Sequence, residues 1–380
     1  MQNKIAIITS GHPPFDERIF WKFGLSLAQN KYSVRIICST EEINSEQEYI
    51  SILGFESKGL NRIQKIKKFF ESLVSFSPDI IICCESLTLA PALKFKFIRK
   101  RCTKIIYDVT EWYPEGIVSK IKGNKKILVY FFLFILNFLL ANLTNVILVG
   151  ETTKLKRYVL FAPFKKKIII GYYPVIKFFD CNHPPYDGRI LVLCYAGLIN
   201  FKRGIKELIQ ISSQLAERHP DIKIKLKIVG KFESEEDEKT FDNLSCGVNN
   251  ILIEKAGWTE YKNISNLLRD VDICFDLRER NFIYNHSLPI KIFEYMACGK
   301  PFIFSDVEPI RKELGEINCG FLVNPNDTEE IINKIELYLS DTRLLKQHSR
   351  NGRRIIESGK NWEVESQKLL KLIDNLIKRK

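Results

Sequence analysis

Apolar residues recur along this chain in two alternating rhythms. Short apolar runs at residues 5–9, 34–38, 80–84, 104–107 and 145–149 read as strands, bounded by Gly, Pro or polar residues. Between them, helical spacing holds over 16–30, through the basic stretch containing Ile63, Ile66, Phe69, Phe70 and Leu73, and over 87–99. The segment from 39 to about 59 shows no clear pattern. Strands alternating with helices predict a parallel sheet whose right-handed crossovers bury both faces. Ligands then bind where strands end, and those ends carry Gly11 with His12, Glu85 with Ser86, the stretch 108–115, and Gly150 with Glu151.

The same alternation restarts after an aromatic and proline-rich passage, GYYPVIKFFDCNHPPYDG, that reads as a linker over 173–188. Strands are expected at 190–195, 222–229, 251–254, 271–276, 301–305 and 320–323, with helices at 204–218, 264–269, 328–340, 344–358 and 362–380. The fold class is therefore α/β, with two Rossmann-like doubly wound parallel-sheet domains facing across a cleft. The first covers 1–172, the second 189–359, and a helix over about 360–380 packs back on the first.

Within the second half, NFIYNHSLPIKIFEYMACGK (281–300) predicts an irregular approach closed by Ser287 or Leu288, then a short helix and a tight stop. Pro289 suits the first helical turn, Gly299 the left-handed position beyond the end, and Ile290, Phe293 and Ala297 the inward face. Free amides at the helix start favour an anion such as phosphate, and Glu294 one or two turns on can accept hydrogen bonds from vicinal hydroxyls. A capped helix with a solvated glutamate is the plainer alternative.

The segment 127–141, ILVYFFLFILNFLLA, is apolar almost all round and follows the basic KIKGNKK. As a helix it would run about 22 Å, short of a hydrocarbon core of roughly 30 Å, which argues against a simple span. Two readings fit it: a helix buried in the core, or one lying in a membrane surface with Lys120, Lys122, Lys125 and Lys126 near anionic headgroups.

Composition narrows the classes. A net charge of +13, spread along 380 residues, favours anionic partners without choosing among phosphorylated metabolites, lipid and nucleic acid, and no nucleic-acid recognition motif is present. Ten cysteines without Cys-x-x-Cys pairs, several in apolar runs, read as buried thiols of a reducing compartment, and five scattered histidines lack metal-ligand spacing. The N-terminus lacks the features of a secretion signal.

Five segments in order, LCYAGLINFKRGIKELI (193–209), KIVGKF (227–232), GWTE (257–260), LPIKIFEYMACGKPFIFSD (288–306) and CGFLVNPND (319–327), resemble the nucleotide-binding half of retaining glycosyltransferases of family four, which have the GT-B fold. GHPPFDERIFWKFGLSLAQNKYSVRII (11–37) is similar to that family's opening, and YDVTEWYPE (107–115) to its acceptor-side loop. The resemblance implies a UDP- or GDP-linked sugar as donor substrate, with no further cofactor and no metal. Glu294 matches the carboxylate that holds the ribose, the last of a Glu, seven residues, Glu pattern whose first member here is His286. Arg203 matches a diphosphate-binding cation, while its companion arginine is replaced by Leu198, leaving Lys202 or Lys291 to compensate. Trp258 and Thr259 lie where the chain passes the base, Gly11, Gly197 and Gly230 are counted among the donor-binding residues, and Ser287, Leu288 and Pro289 lie at the proposed anion site. Thr110 stands where many members carry a histidine, so that histidine's role does not transfer.

The catalytic set expected is Arg203, His286, Glu294 and His12, and the acceptor side Thr110, Glu111, Trp112 and Glu115. His12 also reads as a loop residue satisfied by backbone, Asp16 and Arg18 as a helix cap and pair, and Glu111, Trp112 and Glu115 as a surface seal. The function expected is retaining, metal-independent transfer of a sugar to a hydroxyl of a cell-surface polysaccharide or lipid-linked glycan precursor. The chain would sit in the cytoplasm, peripheral at the inner face of the plasma membrane, through its 120–141 region. A nucleotide-sugar epimerase of the same fold and a non-catalytic nucleotide-sugar or glycan binder are the alternatives.

Overall fold

A computed structural model describes residues 2–378. The chain divides into two compact units, Met1–Tyr172 with Glu363–Lys380, and Tyr173–Trp362.

In the first unit the strands are β1 (Lys4–Thr9), β2 (Ser33–Cys38), β3 (Ile43–Gln47), β4 (Ile50–Gly54), β5 (Ile80–Cys83), β6 (Lys104–Val109), β7 (Val146–Val149) and β8 (Lys166–Ile169). They form one sheet in the order β3-β4-β2-β1-β5-β6-β7-β8, parallel except for the β3–β4 pair. The reversal of winding falls between β1 and β5, paired in register from Ile5 opposite Ile80 to Ile8 opposite Cys83. Ser10–His12 and Glu85 lie just past those two strand ends. The patternless segment 39–59 is the β3–β4 hairpin. Its turn puts Glu48 and Tyr49 at φ +51° and +63°, and β3 is mostly exposed INSEQ, so neither a turn signature nor an apolar face marked it. The helix expected over 16–30 begins as a π-helical stretch, Glu17–Gly24, before turning α-helical at Leu25–Gln29. The closing helix, Trp362–Lys378, meets this unit at Gly171, whose amide donates to Glu365 Oε2 at 3.0 Å.

In the second unit, β9 (Ile190–Ile199), β10 (Lys223–Phe232), β11 (Leu252–Gly257), β12 (Ile273–Asp276), β13 (Phe302–Ser305) and β14 (Gly320–Val323) form an all-parallel sheet in the order β11-β10-β9-β12-β13-β14. That is the doubly wound order with its crevice between β9 and β12. Alternation along β9 shows why both faces are dry. Leu191, Leu193 and Tyr195 enter one core, and Val192, Cys194 and Ala196 the other. Residues 173–188 are irregular, as a linker would be, but they pack into this unit. Phe179 and Tyr186 are buried, and Asp272 accepts from Tyr186 N at 2.8 Å and Val192 N at 2.9 Å.

The 127–141 segment is part of a longer helix, Lys125–Asn142, of which only Leu133, Asn137 and Ala141 are buried. The core reading of this helix is therefore overturned. Cysteines Cys38, Cys83, Cys84, Cys194, Cys274, Cys298 and Cys319 are free and buried, whereas Cys102, Cys181 and Cys246 are free and exposed, against the expectation of buried thiols.

Candidate active site

The crevice of the second unit is built by β9, β10, β12 and the helix Lys291–Ala297. Gly197 and Gly230 face each other across β9 and β10, and a Cβ on Gly230 would lie 1.8 Å from the Gly197 carbonyl oxygen. Only glycine permits that approach, and Gly230 also sits at φ +140°. Lys291 covers the same spot, its Cε 3.7 Å from where a Gly197 Cβ would be. From there its ammonium reaches Glu294 Oε2 at 2.9 Å. Glu294 is buried, and the neighbouring Tyr295 hydroxyl bonds both polar groups of Ala196, fixing the helix to the end of β9.

Beside this pair lies a second cluster. After β9 the chain turns through Phe201–Arg203 to Gly204, at φ +77°, where a Cβ would come within 2.3 Å of the Leu277 carbonyl oxygen. Glu279 N donates to Lys202 O at 2.9 Å, so the loops after β9 and β12 are tied together. Arg203 extends over the Tyr284 ring, 5.9 Å from its centroid, and its buried Nε finds no hydrogen-bond partner among the described residues. Burial works to discharge this guanidinium, but Tyr195, Asp276 and Tyr284 hold its pKa above the usual value. Arg278 lies over the same ring at 5.5 Å and forks onto Asp276, Nε to Oδ1 at 2.9 Å and Nη2 to Oδ2 at 2.7 Å. Asp276, Arg278 and Tyr284 were not singled out from the sequence. Their signal was position, since Asp276 ends the strand across the crevice from β9.

Several expected features differ. The approach 281–287 is not irregular but a short helix, Phe282–His286, capped by Asn281 Oδ1 accepting from Tyr284 N at 2.8 Å. His286 stacks on Phe282 at 4.4 Å and meets the Phe282 carbonyl oxygen at 2.7 Å, turned back on its own helix. The next helix starts at Lys291, after Pro289 rather than around it, and ends before Gly299 at φ +68° as expected. Leu288 and Pro289 are buried, so a ligand would meet them by backbone, whereas Ser287 is half-exposed. Trp258 is 69% exposed past the end of β11, with Thr259 beside it, and Lys202 is exposed.

At the crevice of the first unit, Glu85 gathers donors from the loop after β1. It accepts from Thr9 Oγ1 at 2.6 Å, Ser10 N at 2.8 Å and Gly11 N at 3.3 Å. His12 stands between two carboxylates, Nδ1 3.0 Å from Asp16 and Nε2 3.6 Å from Glu85. Burial lowers the pKa of His12, yet the hydrogen bond and charge of Asp16, with Glu85 and Glu111, push it up to about 9. The ring is thus an imidazolium at neutral pH, a hydrogen-bond donor rather than a base. Asp16 also caps the π-helix, accepting from Arg18 N at 2.8 Å and Ile19 N at 3.1 Å. Arg18 pairs not with Asp16 but with buried Asp108, at 2.7 and 2.8 Å, between the rings of Phe23 and Tyr172.

The acceptor-side residues separate. Thr110 Oγ1 donates to Cys84 O at 2.9 Å and its carbonyl accepts from buried Lys154 at 2.5 Å, while Glu111 is exposed. Trp112 is buried under Arg157, which also forks onto Glu115 at 2.8 and 2.5 Å, and Tyr130 donates to Glu115 at 3.2 Å. Trp112 and Glu115 therefore seal the loop, which leaves Glu111, whose charge acts on His12, as the acceptor-side carboxylate facing that ring.

Residues 182–355 match the family model for glycosyl transferases group 1. The chain is 24% identical over 193 residues, half of its length and 46% of the other protein, to the N,N'-diacetylbacillosaminyl-diphospho-undecaprenol alpha-1,3-N-acetylgalactosaminyltransferase of Campylobacter jejuni. The matches span just under half the length of the curated relatives. Sucrose-phosphate synthase from Thermosynechococcus elongatus superposes over the whole of both chains with a TM-score of 0.76 at 15% identity. Anabaena HepE in complex with UDP-glucose superposes over 98% of this chain and 99% of its own, with a TM-score of 0.73 at 15% identity. The matched residues, 182–355, hold the Gly197, Gly230, Arg203 and Glu294 crevice and are similar to the glycosyl transferases group 1 family, and the chain as a whole has the GT-B fold.

Proposed function

We propose that this chain is a retaining glycosyltransferase that moves a sugar from a UDP- or GDP-linked donor to a hydroxyl of a cell-surface polysaccharide or a lipid-linked glycan precursor. The observation that carries the reading is the crevice between β9 and β12, where the Gly197–Gly230 approach, Arg203, Lys291 and Glu294 converge. Gly197 and Gly230 let backbone come close to the donor, Glu294 accepts from the ribose hydroxyls, and Lys291 orients that carboxylate. Arg203 meets the diphosphate, and Trp258 and Thr259 pass the base. HepE, of the same fold, is described with UDP-glucose, and the Campylobacter relative's name specifies a lipid-diphosphate acceptor.

The chemistry follows from where charge develops. As the bond from the anomeric carbon to the diphosphate oxygen breaks, negative charge grows on the phosphates and the sugar gains oxocarbenium character. Arg203, with Lys202 or Lys291, stabilises that charge in place of a metal ion. The acceptor oxygen bonds to the anomeric carbon on the face the diphosphate leaves, and its proton passes to a diphosphate oxygen. Within the first unit, imidazolium His12 is a hydrogen-bond donor suited to a sugar hydroxyl, and Thr110 and Glu111 are the acceptor-side candidates.

Thermal-shift screening against UDP- and GDP-sugars, followed by product analysis with membrane-derived acceptor, tests this. A selective rise in Tm, released nucleoside diphosphate only with acceptor, and retained anomeric configuration are expected. Turnover of the sugar without acceptor would establish an epimerase instead, and binding without release a non-catalytic protein. Loss of activity with EDTA would overturn metal independence.

A further inference from the structure

The first unit carries an apolar face that its own core leaves open. On helix Lys125–Asn142 one side is sealed, with Asn137 bonded to the Tyr107 hydroxyl at 3.3 Å and the Tyr158 hydroxyl at 3.2 Å. On the other, Ile127, Phe131, Phe132, Ile135 and Leu139 are each more than half exposed. Isolated apolar residues on a surface mean little, but a contiguous stripe marks a contact. A second segment widens it. Phe161, ending helix Thr152–Phe161, packs edge-on against Phe134 at 4.8 Å and Phe138 at 5.3 Å, which carries Leu160 (84% exposed) and Phe164 (94%) alongside.

Charge selects the occupant. At one end of the stripe Lys120, Lys122, Lys125 and Lys126 are exposed. At the other, Lys96 bonds Asn145 just past the helix, and burial together with the charges of Lys104 and Lys165 holds its pKa below the ordinary value. None of these lysines makes an ion pair among the described residues. An apolar stripe with a cationic cluster at each end complements an anionic bilayer surface, where acyl chains take the rings and headgroups the ammonium groups. A second copy would bring the same lysines to this face, like charge against like. By length and composition the helix could cross a membrane, but spanning would pull Asn137 and Ala141 out of the core.

We propose that helix Lys125–Asn142 and the Leu160–Phe164 turn together dock the first unit in the plane of an anionic lipid surface, such as the inner face of a plasma membrane. The proposal stands apart from the glycosyl-transfer reading, because vesicle binding requires no donor and no turnover. Co-sedimentation of the full chain with vesicles of phosphatidylcholine alone, or mixed with phosphatidylglycerol, tests it. Binding to the mixed vesicles is expected, falling about fivefold for each lysine replaced, so roughly a hundredfold for Lys122→Gln, Lys125→Gln and Lys126→Gln together. Phe131→Ser with Phe132→Ser and Ile135→Ser should abolish binding, and Leu160→Ser with Phe164→Ser should weaken it, each with an unchanged melting curve because these side chains are exposed. Equal binding by the serine variants, or equal binding to neutral and anionic vesicles, overturns the proposal. So does a dimer, seen by sedimentation velocity, that the serine variants dissolve while wild type ignores vesicles.

Discussion

Replacing His12 by glutamine removes a charge held between Asp16 and Glu85 while keeping a hydrogen-bond donor. In the folded chain burial opposes that charge, but Asp16, Glu85 and Glu111 outweigh it and His12 titrates at about 9. Unfolded, the ring returns to about 6.5, and the difference between the two values corresponds to roughly 3 kcal/mol. The side chain is 26% exposed, so solvent screens part of the coupling and about 2 kcal/mol is expected. The sign follows from the raised folded value: the contribution is whole below about pH 6.5 and is lost as pH rises through about 9. Asp16, held below its usual range mainly by His12 against the cost of burial, has the opposite sense, and its contribution disappears as pH falls at the acidic end. The assay is denaturant unfolding of wild type and His12→Gln at intervals from about pH 6 to about pH 10, with an NMR titration of the histidine ring carbons. Wild type should exceed the variant by about 2 kcal/mol at pH 6, with the excess gone by pH 10. A His12 resonance titrating near 6.5, or a difference that does not change with pH, refutes the reasoning.

Arg18→Met strands the Asp108 carboxylate in the core of the first unit, and a loss of about 3–5 kcal/mol is expected, read from the denaturant midpoint. Gly230→Val drives a side chain into the Gly197 carbonyl, so the second unit should lose nucleotide binding by calorimetry while the His12 titration stays unchanged. Arg203→Met should lower kcat about a hundredfold with a smaller change in KM if, as proposed, it meets the charge that grows on the diphosphate at the transition state.

Most of the architecture was legible because buried parallel strands carry an unmistakable signature. The runs around Ile5, Ile80, Leu193 and Ile273 are apolar at successive positions, as strands covered on both faces must be. The β3–β4 hairpin was not, since its turn uses Glu48 and Tyr49 rather than Asn-Gly and β3 exposes polar side chains. Glycines that the site needs were visible as residues but not as a pair, because only register places Gly230 opposite Gly197. The same limit hid Glu85 as the partner of His12, and Arg278 as a neighbour of Arg203. Trp112 and Glu115, expected at the acceptor, are engaged by Arg157, a residue some forty positions away whose helix alone reveals the contact.

The central claim is that Glu294 grips the ribose of a nucleotide whose diphosphate meets Arg203, and calorimetric titration of UDP, GDP and their sugars into wild type and Glu294→Gln tests it most directly. At least one nucleoside diphosphate should bind wild type and bind the variant tenfold or more weakly, about 1.5–3 kcal/mol for hydrogen bonds to a charged group, with its nucleotide-sugar losing as much. Unchanged binding of both by Glu294→Gln would contradict the account.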